Sequence, residues 1–399
     1  MARLRPERRT GESPRTVFIC HSSLAVGVER TMVTFVREAV SRGDVVTVVL
    51  PGPGPILDLL EPWREAIDVV VRKPQWWMGM DHAGVVGALK LAHGLLQSIG
   101  WARFVARLNP DRVYVMSTVC PAPMLGTRLA GRPLVVFLSE SVSSNPTLRS
   151  VVPKWVIIAL VKRWADVTVA VSTYAASQWR GATIIEPPEV MDPDKALPDV
   201  VHGERPATPL EMVMLGTMSA EKGQLDAVRA VGLAVDGGVP LQLTFYGDAD
   251  RVGLRALEQL ISQLHLDEVV RHRGSTTTPM TVLAQADLSV VCSRNEAYGR
   301  ITAESLLAGT PVVGYALGGT VEILSHGGGV LVPPAPAHLA TAMATIATDP
   351  GKYVELRAAA LRRREAREDF GDAARTLRRA EAELAALPKR GVRVVDRRD

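Results

Sequence analysis

Two open parallel-sheet α/β domains in tandem are the fold this sequence predicts. Three observations carry the prediction. Apolar, β-branched runs of strand length alternate with helical stretches over most of the chain. The alternation stops once, between residues 183 and 209, and then resumes. Inside the second series, EAYGRITAE (residues 296–304) joins the end of a strand to the start of a helix.

The first series opens with TVFICHS as a strand, followed by the loop SLAVGVE, the helix RTMVTFVREAVSRG and a second strand, VVTVVLP. Further strand-like runs are AIDVVVR, RVYVMS, PLVVFLS and DVTVAVS, with helical stretches between several of them. Such alternation places helices on both faces of a parallel sheet. The segment TIIEPPEVMDPDKALPDVVHGERPATP is rich in Pro and Asp, lacks helical period and reads as a linker. The second series runs LEMVMLG, KGQLDAVRAVGLAV, LQLTFYG, VGLRALEQLISQL, VVRHRG, MTVLAQA, DLSVVCS, TPVVGYA, GGTVEILS and GGVLVPP, and the chain ends in helical stretches. The expected units are residues 15–190, residues 209–369, and a helix at 370–387 that packs back on the first domain.

At 399 residues and 47% apolar, the chain can build two real cores. A net charge of +4, from 46 Lys and Arg against 42 Asp and Glu, is too mild to indicate a nucleic-acid partner. Part of that charge lies in the ends, MARLRPERRTGESPR and KRGVRVVDRRD, which read as solvated tails. Cys20, Cys120 and Cys292 are odd in number and far apart, without CxxC spacing. They indicate neither a disulfide framework nor a zinc site and fit a reducing, cytoplasmic setting. The basic start is not followed by an apolar signal-peptide core, and no uncharged run reaches membrane-spanning length. VVPKWVIIALVKRWAD, with Lys154, Lys162 and Arg163 and with Trp155 and Trp164, fits a buried helix with charged ends. Peripheral contact with the inner face of an anionic membrane is the second reading of that helix.

The chemistry is expected at strand ends of the second series. The loop RNEAYGR follows a buried strand, at the edge where parallel sheets bind ligands. The helix that begins near residues 299–302 offers free N–H groups suited to a phosphate. Gly299 allows close backbone approach, and Arg300 adds a fixed positive charge. Glu296 and Glu304 can accept hydrogen bonds from sugar hydroxyls. They read equally as a loop carboxylate in solvent and a first-turn glutamate favoured by the helix dipole. In GTMSAEKG, Gly216 allows a turn and Lys222 stands before the next helix, as a diphosphate ligand or as a surface lysine. YGDAD and RHRGSTTTP end neighbouring strands at Gly247 and Gly274, and GYALGGTVEIL offers the N–H groups of Gly318 and Gly319 to an anion.

Taken in order, GTMSAEKG, EAYGRITAESLLAGTPVVG and GGTVEIL follow Gly-x5-Lys-Gly, Glu-x7-Glu and Gly-Gly-x-x-Glu. By these motifs the sequence resembles the retaining glycosyltransferases of the GT4 family, which have the GT-B fold of two Rossmann-like domains facing across a cleft. The resemblance spans residue 16 to the final helices, specific in the second domain and loose in the first. It implies that Lys222 contacts a donor diphosphate, Glu304 the ribose and Glu296 the donor sugar. It also implies that the backbone of Tyr298, Gly299, Arg300, Ile301 and Thr302 approaches sugar and phosphate. Arg273 and Gly274 would lie near the base, and Gly27 would reach the phosphates from the first domain. The donor is then a nucleotide-diphosphate sugar, most often UDP- or GDP-linked, used without cofactor or metal. The acceptor is a glycan, a lipid-linked sugar or a small molecule.

The chain departs from the family in three places. Thr217 stands where many relatives have Arg, and Arg300 is the candidate replacement. AVGVE has one glycine where two are common. The strand PLVVFLS ends in Ser139 and Glu140 where several relatives have a histidine. Glu140 reads as an acceptor contact or an ordinary strand-end carboxylate, and His21 as a cleft residue or a structural histidine. Asp248 and Asp250 mimic the Asp-x-Asp metal motif of another transferase fold, which two Rossmann-like halves disfavour. PGPGPI imitates a dinucleotide fingerprint but lacks N–H groups at Pro53 and Pro55. A sugar-nucleotide epimerase of the same architecture and a non-catalytic nucleotide-sugar-binding protein are the alternative functions.

Overall fold

The computed structural model describes residues 12–192, 195–200, 206 and 208–387. The outer parts of both basic ends and part of the linker lie outside the described residues. The first domain comprises β1 (Arg15–Ile19), α1 (Gly27–Ser41), β2 (Val45–Leu50), α2 (Ile56–Leu60), β3 (Ile67–Val71), α3 (Gly84–Leu108), β4 (Arg112–Val115), α4 (Pro121–Leu129), β5 (Leu134–Leu138), α5 (Lys154–Trp164), β6 (Val167–Ala170), α6 (Thr173–Gln178) and β7 (Ile184–Ile185). The second comprises β8 (Leu210–Leu215), α7 (Gln224–Asp236), β9 (Leu241–Tyr246), α8 (Arg251–Gln263), β10 (Val270–His272), α9 (Pro279–Ala284), β11 (Leu288–Val291), α10 (Arg300–Leu307), β12 (Val312–Tyr315), α11 (Gly319–Leu324) and β13 (Gly329–Val332). Then follow α12 (Pro336–Thr348), α13 (Pro350–Glu365) and α14 (Ala373–Ala386).

Both sheets are parallel. The first runs β3-β2-β1-β4-β5-β6-β7 and the second β10-β9-β8-β11-β12-β13. Helices cover both faces, which is why strands such as Leu134–Leu138 are buried at every position and read as unbroken apolar runs. In each sheet the strand order reverses beside its first strand, between β1 and β4 and between β8 and β11. At such a switch point the connections leave in opposite directions and open a crevice beyond the carboxyl ends. In the second domain that crevice receives the lysine loop after β8 and the glutamate loop after β11.

Three boundaries differ from the sequence expectation. α1 starts at Gly27, so part of the predicted loop SLAVGVE is helical. Ile184 and Ile185, assigned to the linker, pair with Val169 and Ala170 as an edge strand. The C-terminal helical stretch breaks at residues 366–372. Beyond the break α14 lies on the first domain, where Ala373, Leu377 and Ala380 join Phe35 and Val36 of α1 in one buried cluster. Arg375 Nε donates to Glu186 at 3.1 Å, and Arg379 also binds that carboxylate. α5 is a packed helix: Ile157, Ile158 and Val161 are buried, and Trp164 stacks on Trp77 at 5.7 Å. Among the described residues no helix is long and apolar enough to cross a membrane. Cys20, Cys120 and Cys292 are all buried and free.

The two domains are drawn together by polar contacts. Glu322 of α11 accepts from the backbone N–H of Thr173 at 2.8 Å and of Tyr174 at 3.3 Å, capping α6 from the other domain. Asn295 Nδ2 donates to the Ser144 carbonyl at 3.1 Å, and Ser144 Oγ returns a bond to Asn295 Oδ1 at 2.8 Å. Truncating Leu377 to Ala leaves a cavity under α14 and should cost about 2–5 kcal/mol. Urea unfolding of the purified variant checks this; an unchanged midpoint would mean that α14 contributes little to the first domain.

Candidate functional site

The site is built on the loop that follows β11. Gly299 takes φ +106° as the N-cap of α10, which leaves the first N–H groups of α10 without a capping side chain. One turn into the chain's return, Gly318 and Gly319 press against the same loop. The Gly319 N–H donates to the Glu296 carbonyl at 2.8 Å, and a Cβ at Gly319 would stand 2.1 Å from the Tyr298 carbonyl oxygen. Sequence reasoning offered both glycine N–H groups to an anion; the Gly319 N–H is instead engaged in holding the loop.

Lys222, two residues before α7, reaches across the crevice. Its Nζ donates to Glu296 Oε2 at 2.7 Å. The pair lines a small pocket together with Leu215 of β8, Val291 of β11, and Gly299, Ile301 and Thr302 at the α10 start. Tyr298 is buried behind the loop, and Thr302 is fully buried with its Oγ1 3.5 Å from Thr320 Oγ1. Gly216 (φ +133°) ends β8 at the pocket's edge, its N–H bonded to the Tyr246 carbonyl at 2.8 Å. Gly274 follows β10 and accepts from the Gly247 N–H at 2.8 Å, which places it one strand further along the same sheet edge.

Glu304 is almost fully buried, one turn into α10. Its nearest cation is Arg300, whose Nη2 stands 3.3 Å from Oε1. Arg300 also donates to the carbonyls of Glu189 and Val190 at 3.3 and 3.1 Å, so its guanidinium ties α10 to the chain that leaves the first domain. From the opposite side Gly27, at the start of α1, comes within van der Waals reach: a Cβ there would lie 3.5 Å from Arg300 Cδ. Burial raises the Glu304 pKa above the ordinary carboxylate range, with Arg300 and then Arg30 pulling it back.

The first-domain candidates stand apart from this pocket. Glu140 is held by Ser117 Oγ, by Thr118 Oγ1 at 2.7 Å and by the Thr118 N–H at 3.3 Å, which ties it to the end of β4. His21 lies at the end of β1 with its ring 5.5 Å from Trp76, and its Nε2 is 3.8 Å from Glu29 Oε1. Sequence reasoning passed over Glu29, which is buried and has neither oxygen hydrogen-bonded. Among the described residues Cys20, His21 and Glu29 are the group with metal-ligand chemistry, their ligand atoms within 4.8 Å of one another. Burial and the Glu29 carboxylate push the Cys20 thiol up to about 12, so it stays protonated at neutral pH. Each of the two second-domain carboxylates already faces a cation: Glu296, in the pocket, faces Lys222, and Glu304 faces Arg300. Chemically, the pocket presents an ammonium group and a helix N-terminus to an anion, with two carboxylates beside it for hydroxyl groups.

The Glu304 shift has a consequence for stability. A carboxyl whose folded pKa is raised is held ionised at a cost above that pKa, and the cost fades as pH falls toward the unfolded value. Glu304→Gln should therefore melt at or above the wild-type temperature at pH 7, with the gap closing on acidification. Melting curves at stepped pH check this; a variant that melts lower at pH 7 would mean that the Arg300 pair outweighs the burial cost.

Comparison with known proteins adds three findings. Residues 201–375 match the family model described as "Glycosyl transferases group 1". Over 137 residues the chain is 36% identical to D-inositol 3-phosphate glycosyltransferase of Thermobispora bispora, covering 33% of this chain and 31% of that one. Over 198 residues it is 31% identical to glycogen synthase of Mycobacterium tuberculosis, covering 47% and 45%. The chain thus spans less than half the length of the curated relatives it matches. Among solved structures it resembles Anabaena HepE in complex with UDP and glucose, with TM-score 0.71 and 20% identity over 93% of this chain and 99% of that one.

Proposed function

Residues 201–375 being a group 1 glycosyl transferase domain, on a chain with the GT-B fold, we propose that the protein moves a sugar from a nucleotide-diphosphate sugar to an acceptor hydroxyl with retention of configuration. One observation carries the reading: Lys222, Glu296 and the α10 N-terminus converge on one pocket at the switch point of the second sheet. An incoming diphosphate competes with Glu296 for the Lys222 ammonium. Binding the donor therefore exchanges an internal ion pair for a ligand one and frees the Glu296 carboxylate to accept from sugar hydroxyls. Glu304, buried a turn deeper, receives the ribose hydroxyls. Tyr298, Gly299, Ile301 and Thr302 shape the pocket so that backbone N–H groups face the phosphates, and Gly274 marks the side where the base would lie. The solved complex of HepE with UDP-glucose supports a uridine donor; GDP-linked sugars are the other candidate.

In the reaction the bond from the anomeric carbon to the diphosphate oxygen breaks and the acceptor oxygen bonds to that carbon from the same face. The acceptor proton passes to the departing phosphate. Lys222 and the helix N-terminus stabilise the charge that develops on the leaving group, the electrostatic contribution that commonly dominates. With cations supplied by the chain itself, the step needs no divalent metal. Gly27 and the Glu322 cap on α6 keep the first domain against the pocket and limit water at the anomeric centre. We assign the acceptor to the first-domain side of the cleft, near His21 and Glu140, and place the protein in the cytoplasm.

A thermal-shift screen in EDTA with UDP, GDP, ADP and TDP and their sugars tests the reading. A ligand at a hundredfold over its Kd adds about 2.7 kcal/mol. One base should raise the melting temperature, and the rise should vanish in Lys222→Ala and Glu304→Ala. Arg300→Ala should weaken binding about as much as Lys222→Ala if it supplies the cation absent at Thr217; unchanged affinity would confine it to its carbonyl contacts. No shift with any nucleotide would contradict the reading, and product analysis with and without acceptor separates transfer from epimerisation.

A further inference from the structure

α3 is built with its large apolar side chains outward. Its buried stripe is Gly87, Gly94, Ser98, Trp101 and Val105, so small residues form much of the inner face. The glycines let the helix sit close: a Cβ at Gly87 would stand 2.9 Å from Val151 Cγ1, and one at Gly126 of α4 would stand 2.5 Å from Trp101 Cβ. On the opposite face Val85, Leu89, Leu96 and Ile99 recur at helical spacing, exposed by 77%, 67%, 71% and 51%. A helix that only packs on a sheet places its large residues the other way round. Met80, ahead of α3, and Trp155, in the first turn of α5, are 72% and 63% exposed, and the Gly79–Arg149 bridge and the approach of Gly87 to Val151 bring their segments together beside α3.

Along α3 the charge has one sign. Between Gly84 and Leu108 the sequence holds Lys90, Arg103 and Arg107 and no Asp or Glu. Arg103 continues the apolar stripe one turn beyond Ile99, and neither it nor Arg107 meets a carboxylate among the described residues. Lys154 stands beside Trp155, and Arg149 is exposed on the strand-like segment that bridges to Gly79. The nearest acid, Asp81, precedes the helix, and its carbonyl accepts from Lys90 Nζ at 3.1 Å. A second copy of α3 would offer this stripe no carboxylate, only like charge, which disfavours self-pairing.

We propose that the outward face of α3, with Met80 and Trp155, docks on an anionic lipid bilayer, lying in the interface without crossing it. Apolar side chains enter the acyl boundary while Lys90, Arg103 and Arg107 reach the headgroups. The docking face is tied to the cleft by one loop: residues 76–80 run from Trp76, against His21 at the end of β1, to Met80 at the edge of the apolar surface. Resting on the glycosyltransferase reading, the same geometry assigns the acceptor to the membrane-anchored class, delivered to the cleft from the bilayer on which the first domain sits.

Vesicle sedimentation of the full chain tests the docking without reference to turnover. Vesicles of phosphatidylcholine with about a third phosphatidylglycerol should pellet the wild type far better than pure phosphatidylcholine, and added salt should weaken the binding. L89E/L96E should reduce binding to the anionic vesicles by about tenfold or more. R103E/R107E should abolish the preference for anionic lipid. Both variants touch only exposed positions and should keep the wild-type melting temperature and nucleotide shift. The proposal is overturned if the wild type stays in the supernatant, or if L89E/L96E pellets as well as the wild type, which would move binding to another surface such as the basic ends. It is equally overturned if L89E/L96E instead converts a dimer to a monomer in size-exclusion chromatography. A nucleotide shift without vesicle binding would sink the docking alone and leave the transferase reading standing.

Discussion

The loop from Glu296 to Gly299 is the constraint on which the rest of this structure depends. Its backbone is fixed from the second domain by the Gly319 N–H, which no residue with a side chain could bring so close. Its one carboxylate is fixed by Lys222. From the first domain, Ser172 Oγ donates to the Ala297 carbonyl, and Ser144 exchanges bonds with Asn295 just before the loop. A segment held from both domains transmits whatever binds at Glu296 to the way the domains meet. The contacts that hold this loop are thus also contacts through which the two domains meet.

The electrostatics follow the same logic. The pocket's charges are neutralised internally: an ammonium on a carboxylate, and a guanidinium on a buried carboxylate and two carbonyls. On the proposed reading an anionic ligand enters by exchange, taking Lys222 from Glu296 and leaving that carboxylate to hydroxyl groups. The burden falls on Glu304, which burial makes reluctant to ionise. Such a cost is what the role proposed for Glu304 toward hydroxyl groups would entail.

Much of the architecture was legible in the sequence. Strands covered on both faces are continuous apolar runs, and the Pro- and Asp-rich break marks where one series ends. The β11 loop and α10 were visible because a strand, a short loop with a glycine and a helix follow one another from Leu288 to Leu307. The Lys222–Glu296 pair was not visible as a pair, since its members lie 74 residues apart and meet only because β8 and β11 are neighbours in the sheet. β7 is two residues long, too short to show a period. α3 escaped notice because a helix with small residues inward and large ones outward has the same composition as one packed normally. Its direction is set by the close approach of Gly87 to Val151, which no local pattern records.

Hydrogen–deuterium exchange with and without UDP-glucose is the most direct test of the claim that the glutamate-bearing loop and the lysine loop form one donor site. The account predicts slower exchange together at residues 216–223 and 294–304, and at Thr173 and Tyr174 as the Glu322 cap tightens. Protection elsewhere, or at one of the two loops without the other, would contradict it.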